Sequence, residues 1–462
     1  MHENQRMIDT EIAVIGAGPG GYIAAIRAAQ LGKSVTLVEK HHIGGICLHH
    51  GCIPSKALVT IAEKYNQTKD LQYLGIHCEN VRIDFAESQK WKLSVIHQLT
   101  EGIQFLLKKY KVKTIYGHAS FVNRNTILVE SDGHSAHIHF QDCIISTGSV
   151  PIEIPSIPFG GNILSSSEAL ALEEIPMSMV VIGGGYIGIE LSQVFARLGT
   201  KVTILEGSPS ILTGFESRIT SYLKRNLKKY CVDVVTNVKA TSSYTSENSV
   251  TVEYIDGDSG KAITAEKVLV TVGRKPNTED LHLANAQINV DDKGYIIVDS
   301  LHRTSSSNVY AIGDVTQGIA LAHRASYEGK LVSDYIAGVK RKKSCSVLPT
   351  VVFSDPEIAS VGFSEQQAKE KGYPVKVVRY SYGANGRALV LNAAEGFVAI
   401  VVNQENQKIL GAQIVGIEAS NLIGEISLAI ELGASIQDIA LTIHAHPTLS
   451  ELLMDAAEQF NE

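Results

Sequence analysis

A repeat constrains this chain more than any other feature. Residues Ala13–Lys40 (AVIGAGPGGYIAAIRAAQLGKSVTLVEK) return 167 residues later as Val180–Gly207 (VVIGGGYIGIELSQVFARLGTKVTILEG). Each copy reads as a short apolar strand, a G-x-G-x-x-G turn, an amphipathic helix, Leu-Gly, a second strand and a closing Glu. The glycines are Gly16, Gly18, Gly21 and Gly183, Gly185, Gly188; the acids, Glu39 and Glu206, each follow the first glycine by 23 residues. The first glycine permits a tight turn, the second lets backbone approach a pyrophosphate, and the third lets helix and strand pack closely. The pyrophosphate then meets the positive end of the helix, and the acid accepts hydrogen bonds from a ribose diol. One glycine-rich turn also occurs in purely structural βαβ units. Two complete copies predict two dinucleotide sites. A carboxylate at Glu206, with no Arg or Lys from Gly207 to Ser217, favours NAD over NADP, whose 2′-phosphate it would repel.

Composition bounds the alternatives. A chain of 462 residues exceeds what one core supports, and 44% hydrophobic content excludes disorder. A net charge of −7 without long basic runs argues against nucleic acid as the main partner. No apolar stretch approaches the roughly 18–20 residues of a membrane helix. The N-terminus lacks a signal-peptide or transit-peptide pattern, so a cytoplasmic location is expected. Six cysteines do not make a disulfide scaffold. Cys78, Cys143, Cys231 and Cys345 read as small buried hydrophobes. His134, His137 and His139 read as an exposed strand rather than ligands, and no metal site is expected. Cys47 and Cys52 differ: they lie five apart in GGICLHHGCIPSK, framed by Gly44, Gly45 and Gly51. The order of dinucleotide turn, cysteine pair, second dinucleotide turn suggests electron transfer between a flavin, a disulfide and a nicotinamide.

The segment GGICLHHGCIPSKAL resembles the active-disulfide segment of the class I pyridine nucleotide–disulfide oxidoreductases, and among them the dihydrolipoamide dehydrogenases. The resemblance covers essentially the whole chain. ISTGSVP (Ile145–Pro151), VGRKPN (Val272–Asn277), TSSSNVYAIGDV (Thr304–Val315), LAHRASYEG (Leu321–Gly329) and HAHPTLSE near the C-terminus follow in the family's order. It implies an α/β fold with two Rossmann-like domains, binding FAD and NAD, and a C-terminal α+β dimerisation domain. The expected division is 1–149 for FAD and the disulfide, 150–276 for NAD, 277–346 completing the FAD domain, and 347–462 for the homodimer interface. RKKSCSVLP reads as a linker, and TSSYTSENSVTVEYIDGDSGK as a hairpin.

The resemblance also implies roles. Cys47 and Cys52 would form the redox disulfide, with Cys47 the interchange thiol and Cys52 nearer the flavin. Helix continuing past Cys52 would put a helix end under the sulfurs, where thiol pKa values fall. Lys56 would sit by the flavin, paired with Glu190. His446, oriented by Glu451, would be the acid–base group, with His444 its rival in the same motif. Asp314 would bond the flavin's sugar-like chain, and further cofactor contacts are implied at Gly117, Thr147, Gly148, Ala322, Val238 and Gly273. The expected partner is a lipoyl-bearing acyltransferase or carrier protein of a 2-oxo acid dehydrogenase-type complex. Two departures stand out: Ile46 replaces the usual Thr, and His49-His50 replaces the usual Asn-Val. The alternatives are another flavin disulfide reductase, glutathione-like, or a non-catalytic or surface-moonlighting flavoprotein. Mercuric and large thioredoxin reductases need a C-terminal cysteine pair, and the last cysteine here is Cys345.

Overall fold

The structure, a computed structural model, describes residues 6–69, 71–131, 133–340 and 347–461. It divides into two compact units: Met1–Ile61, Leu71–Glu174 and Val270–Lys342, and Ala62–Asp70, Ile175–Leu269 and Lys343–Glu462.

In the first unit β1 (Arg6–Ile15) lies between β2 (Val35–Glu39) and β6 (His134–Ile145), parallel to both. β3 (Lys113–Tyr116) extends the parallel set beyond β2. β4 (His118–Asn123) and β5 (Thr126–Ser131) fold back antiparallel on β6. All five residues of β2 are buried, Thr36 and Glu39 included, as in a central parallel strand. α1 (Pro19–Gln30) opens on a proline, whose missing N–H would have no intrahelical partner there. α2 (Gly45–His49), α3 (Cys52–Gln67) and α4 (Phe85–Lys109) follow, and the Asp84 side chain caps α4 by accepting from Glu87 N. β7 (Ser149–Pro151), β8 (Ile163–Leu164) and α5 (Ser166–Leu170) lead out of the unit.

In the second unit β9 (Ser178–Ile182), α6 (Tyr186–Leu198), β10 (Lys201–Glu206), α7 (Ser217–Lys229) and β11 (Asp233–Thr236) repeat the parallel βαβ pattern, with β10 central. β12 (Val238–Thr245), β13 (Val250–Asp256) and β14 (Ser259–Ala265) form an antiparallel meander, so the expected hairpin is two of three strands. β15 (Lys267–Val270) lies beside β9. The chain then returns to the first unit. β16 (Arg274–Pro276) pairs antiparallel with β7, β17 (Val309–Ala311) joins β6 in parallel, and α8 (Ala322–Ile336) packs on α1. That helix contact is close: a Cβ at Gly329 would lie 2.6 Å from Gly20 O.

The C-terminal part is a five-stranded antiparallel sheet in the order β18 (Thr350–Val352), β19 (Ile358–Gly362), β22 (Ile409–Val415), β21 (Phe397–Asn403), β20 (Val375–Ser381). Its helices are α9 (Glu365–Glu370), α10 (Gly386–Val390), α11 (Ala419–Leu432), α12 (Ile436–Ala440) and α13 (Glu451–Glu458). Ile423 and Ile426 of α11 and Leu452 and Leu453 of α13 share one core with Val398, Ile400 and Val402 of the sheet.

The chain passes between the units at 174/175 and 269/270. Pairing of β7 with β16 holds both passages of the chain in the first unit. The 175–269 segment shares a unit with the C-terminal sheet because α6 is pinned to the 353–356 segment. Gln193 donates to Asp355 O (2.9 Å) and accepts from Asp355 N (2.8 Å), Tyr230 OH donates to Asp355 Oδ2 (2.9 Å), and Arg197 pairs with the same carboxylate. Cys143 is buried as expected, but Cys78 and Cys231 are exposed, which corrects their reading as core residues. Both lie in connections: Cys231 follows α7 in the left-handed conformation (φ 55°), and Cys78 precedes α4. Residues 341–346 of the expected linker, with Cys345, lie outside the described residues. Among the described residues no helix is long and apolar enough to cross a membrane, and no three His, Cys, Asp or Glu side chains are grouped to hold a metal ion.

Candidate active site

The two glycine turns are equivalent down to single hydrogen bonds. Gly16 N–H donates to Val38 O at 2.8 Å and Gly183 N–H to Leu205 O at 2.9 Å. Both first glycines have positive φ, 94° and 105°, which an L side chain resists. A Cβ on Gly21 would lie 1.8 Å from Gly16 O, so only glycine fits there, and Gly188 is buried at the matching place in α6. A Cβ on Gly18 or Gly185 would meet nothing within 4 Å. Space is therefore left open at the N-termini of α1 and α6, where backbone N–H groups and the helix dipole suit a pyrophosphate.

Glu39 and Glu206 have a second task that the sequence pattern did not reveal: they clamp the turns. Glu39 accepts from Ala17 N (2.7 Å) and His41 N (2.8 Å), and Glu206 from Gly184 N (2.6 Å) and Ser208 N (2.6 Å). These donors again correspond between the copies. Each carboxylate oxygen keeps a second lone pair, so the ribose diol can still be bound. Gly117 closes the first site by donating to Glu39 O at 2.9 Å, and Val238 O lies 3.7 Å from where a Cβ on Gly207 would be, in the second.

The cysteine segment is fastened to the first turn. Gly44 N–H donates to Ala17 O at 2.8 Å, and a Cβ on Gly45 would lie 2.7 Å from Gly18 Cα. Helix continues past Cys52, as the sequence suggested, and a short separate helix precedes it. α2 carries Cys47 and ends at His49, and Cys52 is the first residue of α3. Gly51, between them, has a would-be Cβ contact of only 3.1 Å to Ile46 O, which keeps the break tight. The positive end of a 16-residue helix thus lies at Cys52 and favours its thiolate. Cys47 and Cys52 are thiols here, hydrogen-bonded to each other. That bond, burial and the charge on Cys52 hold the Cys47 thiol well above the ordinary range, while the Lys56 ammonium opposes the shift. A low thiol pKa was expected near the pair; for Cys47 the shift runs upward. Tyr22, next to Gly21, went unnoticed in the sequence. Burial, then Cys47 and Cys52, raise its pKa.

Asp314 accepts from Ser149 Oγ at 2.6 Å, and Ser149 in turn accepts from Arg274 Nε at 2.8 Å. Thr147 Oγ1 donates to Asn277 O (2.7 Å), and Asn277 N–H to Gly148 O (2.9 Å). Gly273 O accepts from Ile152 N at 3.0 Å, within the first unit. Ala322 is the first residue of α8.

In the second unit His446 Nδ1 meets Glu451 Oε1 at 2.9 Å, and Glu451 Oε2 accepts from Thr448 N at 2.7 Å. The Thr448 amide, then His446, hold the Glu451 carboxyl below its ordinary pKa. Glu451 opens α13, whose positive end also favours the carboxylate. The His446 side chain is 80% exposed, leaving Nε2 open to a reactant. His444 is engaged at both nitrogens, by Thr442 O (2.8 Å) and Glu425 Oε1 (3.0 Å), and its side chain is 5% exposed. Glu190 is buried, with Oε1 accepting from Phe353 N at 2.9 Å. Thr448, Glu425 and Phe353 could not be found from the sequence, since their contributions come from backbone or from contacts distant along the chain.

Comparison with known proteins agrees. The pyridine nucleotide-disulphide oxidoreductase family model matches residues 10–329, and the dimerisation-domain model of that family matches residues 348–457. Dihydrolipoyl dehydrogenase of Geobacillus stearothermophilus is 52% identical over 98% of this chain and 96% of its own length. The enzymes of that name from Bacillus subtilis and Staphylococcus aureus are 48% and 47% identical, each over 98% of this chain and 96% and 97% of their own lengths. Among solved structures, LpdA from Mycobacterium tuberculosis superposes with a TM-score of 0.92 at 25% identity, covering 97% of this chain and 99% of its own. The flavoprotein disulfide reductase RclA from Escherichia coli gives 0.88 at 28% identity, covering 98% of this chain and 99% of its own. This chain belongs to the pyridine nucleotide-disulphide oxidoreductase family.

Proposed function

We propose that the chain is a dihydrolipoyl dehydrogenase, reoxidising the dihydrolipoamide of a 2-oxo acid dehydrogenase-type complex with FAD and NAD⁺. The observation that carries the reading is that one chain holds both a dithiol at a helix start and a His–Glu acid–base couple whose outer nitrogen is open. Full-length likeness to enzymes of that name supports it.

In this reading His446 Nε2 takes a proton from one substrate thiol, because thiolate is the attacking form. Glu451 holds Nδ1–H and stabilises the imidazolium. The thiolate attacks Cys47 Sγ, the Cys47–Cys52 bond breaks, and Cys52 leaves as thiolate on the positive end of α3. The second substrate thiol then attacks its own sulfur in the mixed disulfide and frees Cys47. FAD, when bound, supplies the two-electron relay between this dithiol and NAD⁺. Gly16, Gly18, Gly21, Glu39, Gly117 and Asp314 would hold it. Lys56, for which the family likeness implies Glu190 as partner, would place a cation beside its ring and favour negative charge there. The turn at Gly183, Gly185 and Gly188, with Glu206, would take NAD⁺.

The partner is read as a lipoyl-bearing acyltransferase or carrier protein, and the active species as a homodimer in the cytoplasm. Leu441 (78% exposed) and Ile443 (96%) give apolar surface just before the His444–His446 motif, which a second copy would cover. One protomer's His446 would then serve its partner's dithiol. The domain division follows the same reading, with 1–149 and 277–346 for FAD, 150–276 for NAD and 347–462 for the dimer.

Steady-state assays of dihydrolipoamide against glutathione, each with NAD and NADP coenzymes, test the proposal. Turnover of dihydrolipoamide with NAD⁺ is expected to dominate. Preference for glutathione disulfide with NADPH would overturn it.

A further inference from the structure

The mechanism uses Cys47 but does not explain what holds it. α2 has five residues, far too few to be stable alone. It is entered through Gly44 (φ 103°) and Gly45 (φ 60°), and its Leu48 N–H bond to Gly44 O is long at 3.4 Å. One side chain closes the segment on itself. His49 Nε2 lies 2.8 Å from Ile43 O, and since a carbonyl only accepts, Nε2 carries the proton. Ile43 precedes the helix and is buried, so this bond ties the last residue of α2 to a fixed point in the core, with Cys47 inside the loop. The ring is further steadied by stacking on His42, with centroids 4.8 Å apart and planes at 30°. Burial is the main cause that holds the His49 pKa below its ordinary value, with His42 adding to it, so the ring is neutral at neutral pH.

We propose that His49 is a positioning residue for Cys47: its Nε2–H bond to Ile43 O fixes the short helix that sets the Cys47 sulfur against both Cys52 and an incoming thiol. The position is one where this chain departs from its family's usual Asn. The inference rests on Cys47 being the interchange thiol.

The test compares two variants of the FAD-loaded full chain. Gln in His49→Gln can place its Nε2 near the imidazole Nε2 and keep the donor without the ring. His49→Phe keeps the ring and its stack but removes the donor. His49→Gln is expected to reduce its disulfide with dihydrolipoamide at close to the wild-type rate in stopped flow. His49→Phe is expected to be slower by roughly 10- to 100-fold, as misplacing a reacting group by about 1 Å brings. Iodoacetamide alkylation of Cys47 in the two-electron-reduced protein should change in His49→Phe and not in His49→Gln, which separates positioning from a general loss of stability. Equal rates for the two variants, fast or slow, would overturn the proposal. Cys47→Ser is the control for the underlying reading: if it retains dihydrolipoamide turnover, Cys47 is not the interchange thiol, whatever the His49 variants do.

Discussion

Glu206→Gln is the sharpest probe of how the second dinucleotide turn works. The Glu206 carboxylate accepts from Gly184 N and Ser208 N, each at 2.6 Å. Hydrogen bonds to a charged acceptor are worth about 1.5–3 kcal/mol. The amide keeps one acceptor oxygen and turns its NH₂ toward the other N–H, so one of the two bonds is lost. With tenfold for every 1.4 kcal/mol, NADH binding should weaken by roughly 10- to 150-fold if the turn must be re-formed on binding. The assay is calorimetric titration with NADH, beside a flavin-release measurement on the same protein. Retention of FAD should not change, because Glu39 clamps the first turn independently. Glu39→Gln should give the opposite result, releasing FAD while sparing NADH affinity in protein that still holds flavin. NADH affinity within about twofold of wild type for Glu206→Gln, or equal loss of both ligands, would refute the clamp argument.

Other substitutions test neighbouring steps. Gly18→Ala should fold with unchanged thermal stability yet bind FAD weakly, since its Cβ meets no protein atom and enters only the ligand's space. Gly21→Ala, with a Cβ 1.8 Å from Gly16 O, should lose about 1–3 kcal/mol or more of stability as well as FAD, by thermal melts and flavin absorbance. Glu357 is half-buried; desolvation first, then the charges of Glu418 and Glu63, raise its pKa above the ordinary carboxyl value. A raised carboxyl pKa means that the folded state binds the proton more tightly, so stability is lost as pH rises through that range. Glu357→Gln should therefore gain melting temperature over wild type at pH 8 and little at pH 4. A larger gain at pH 4 would contradict the assignment.

Much of the site was legible because the repeat carries its own control. A glycine required by geometry recurs at the same offset, and so do the bonds of Gly16 and Gly183. The clamping of the turns by Glu39 and Glu206 was not legible, because a carboxylate bound to backbone N–H leaves no mark on its partner's identity. His446 could be chosen over His444 only by family position. The structure adds a physical reason, since His444 is occupied at both nitrogens and His446 is not. The pairing of β7 with β16 was not legible because the two strands lie more than a hundred residues apart. The exposure of Cys78 and Cys231 escaped because residue type alone says nothing of a connection's burial.

The central claim is that His446, held by Glu451, moves the proton of the dithiol substrate and takes no part in the NADH side. His446→Gln therefore needs two assays on one preparation. Dihydrolipoamide–NAD⁺ turnover should fall by roughly 10²–10⁴-fold, as loss of a general base does, while NADH oxidation by ferricyanide stays within about twofold. A parallel fall in both rates would contradict the account.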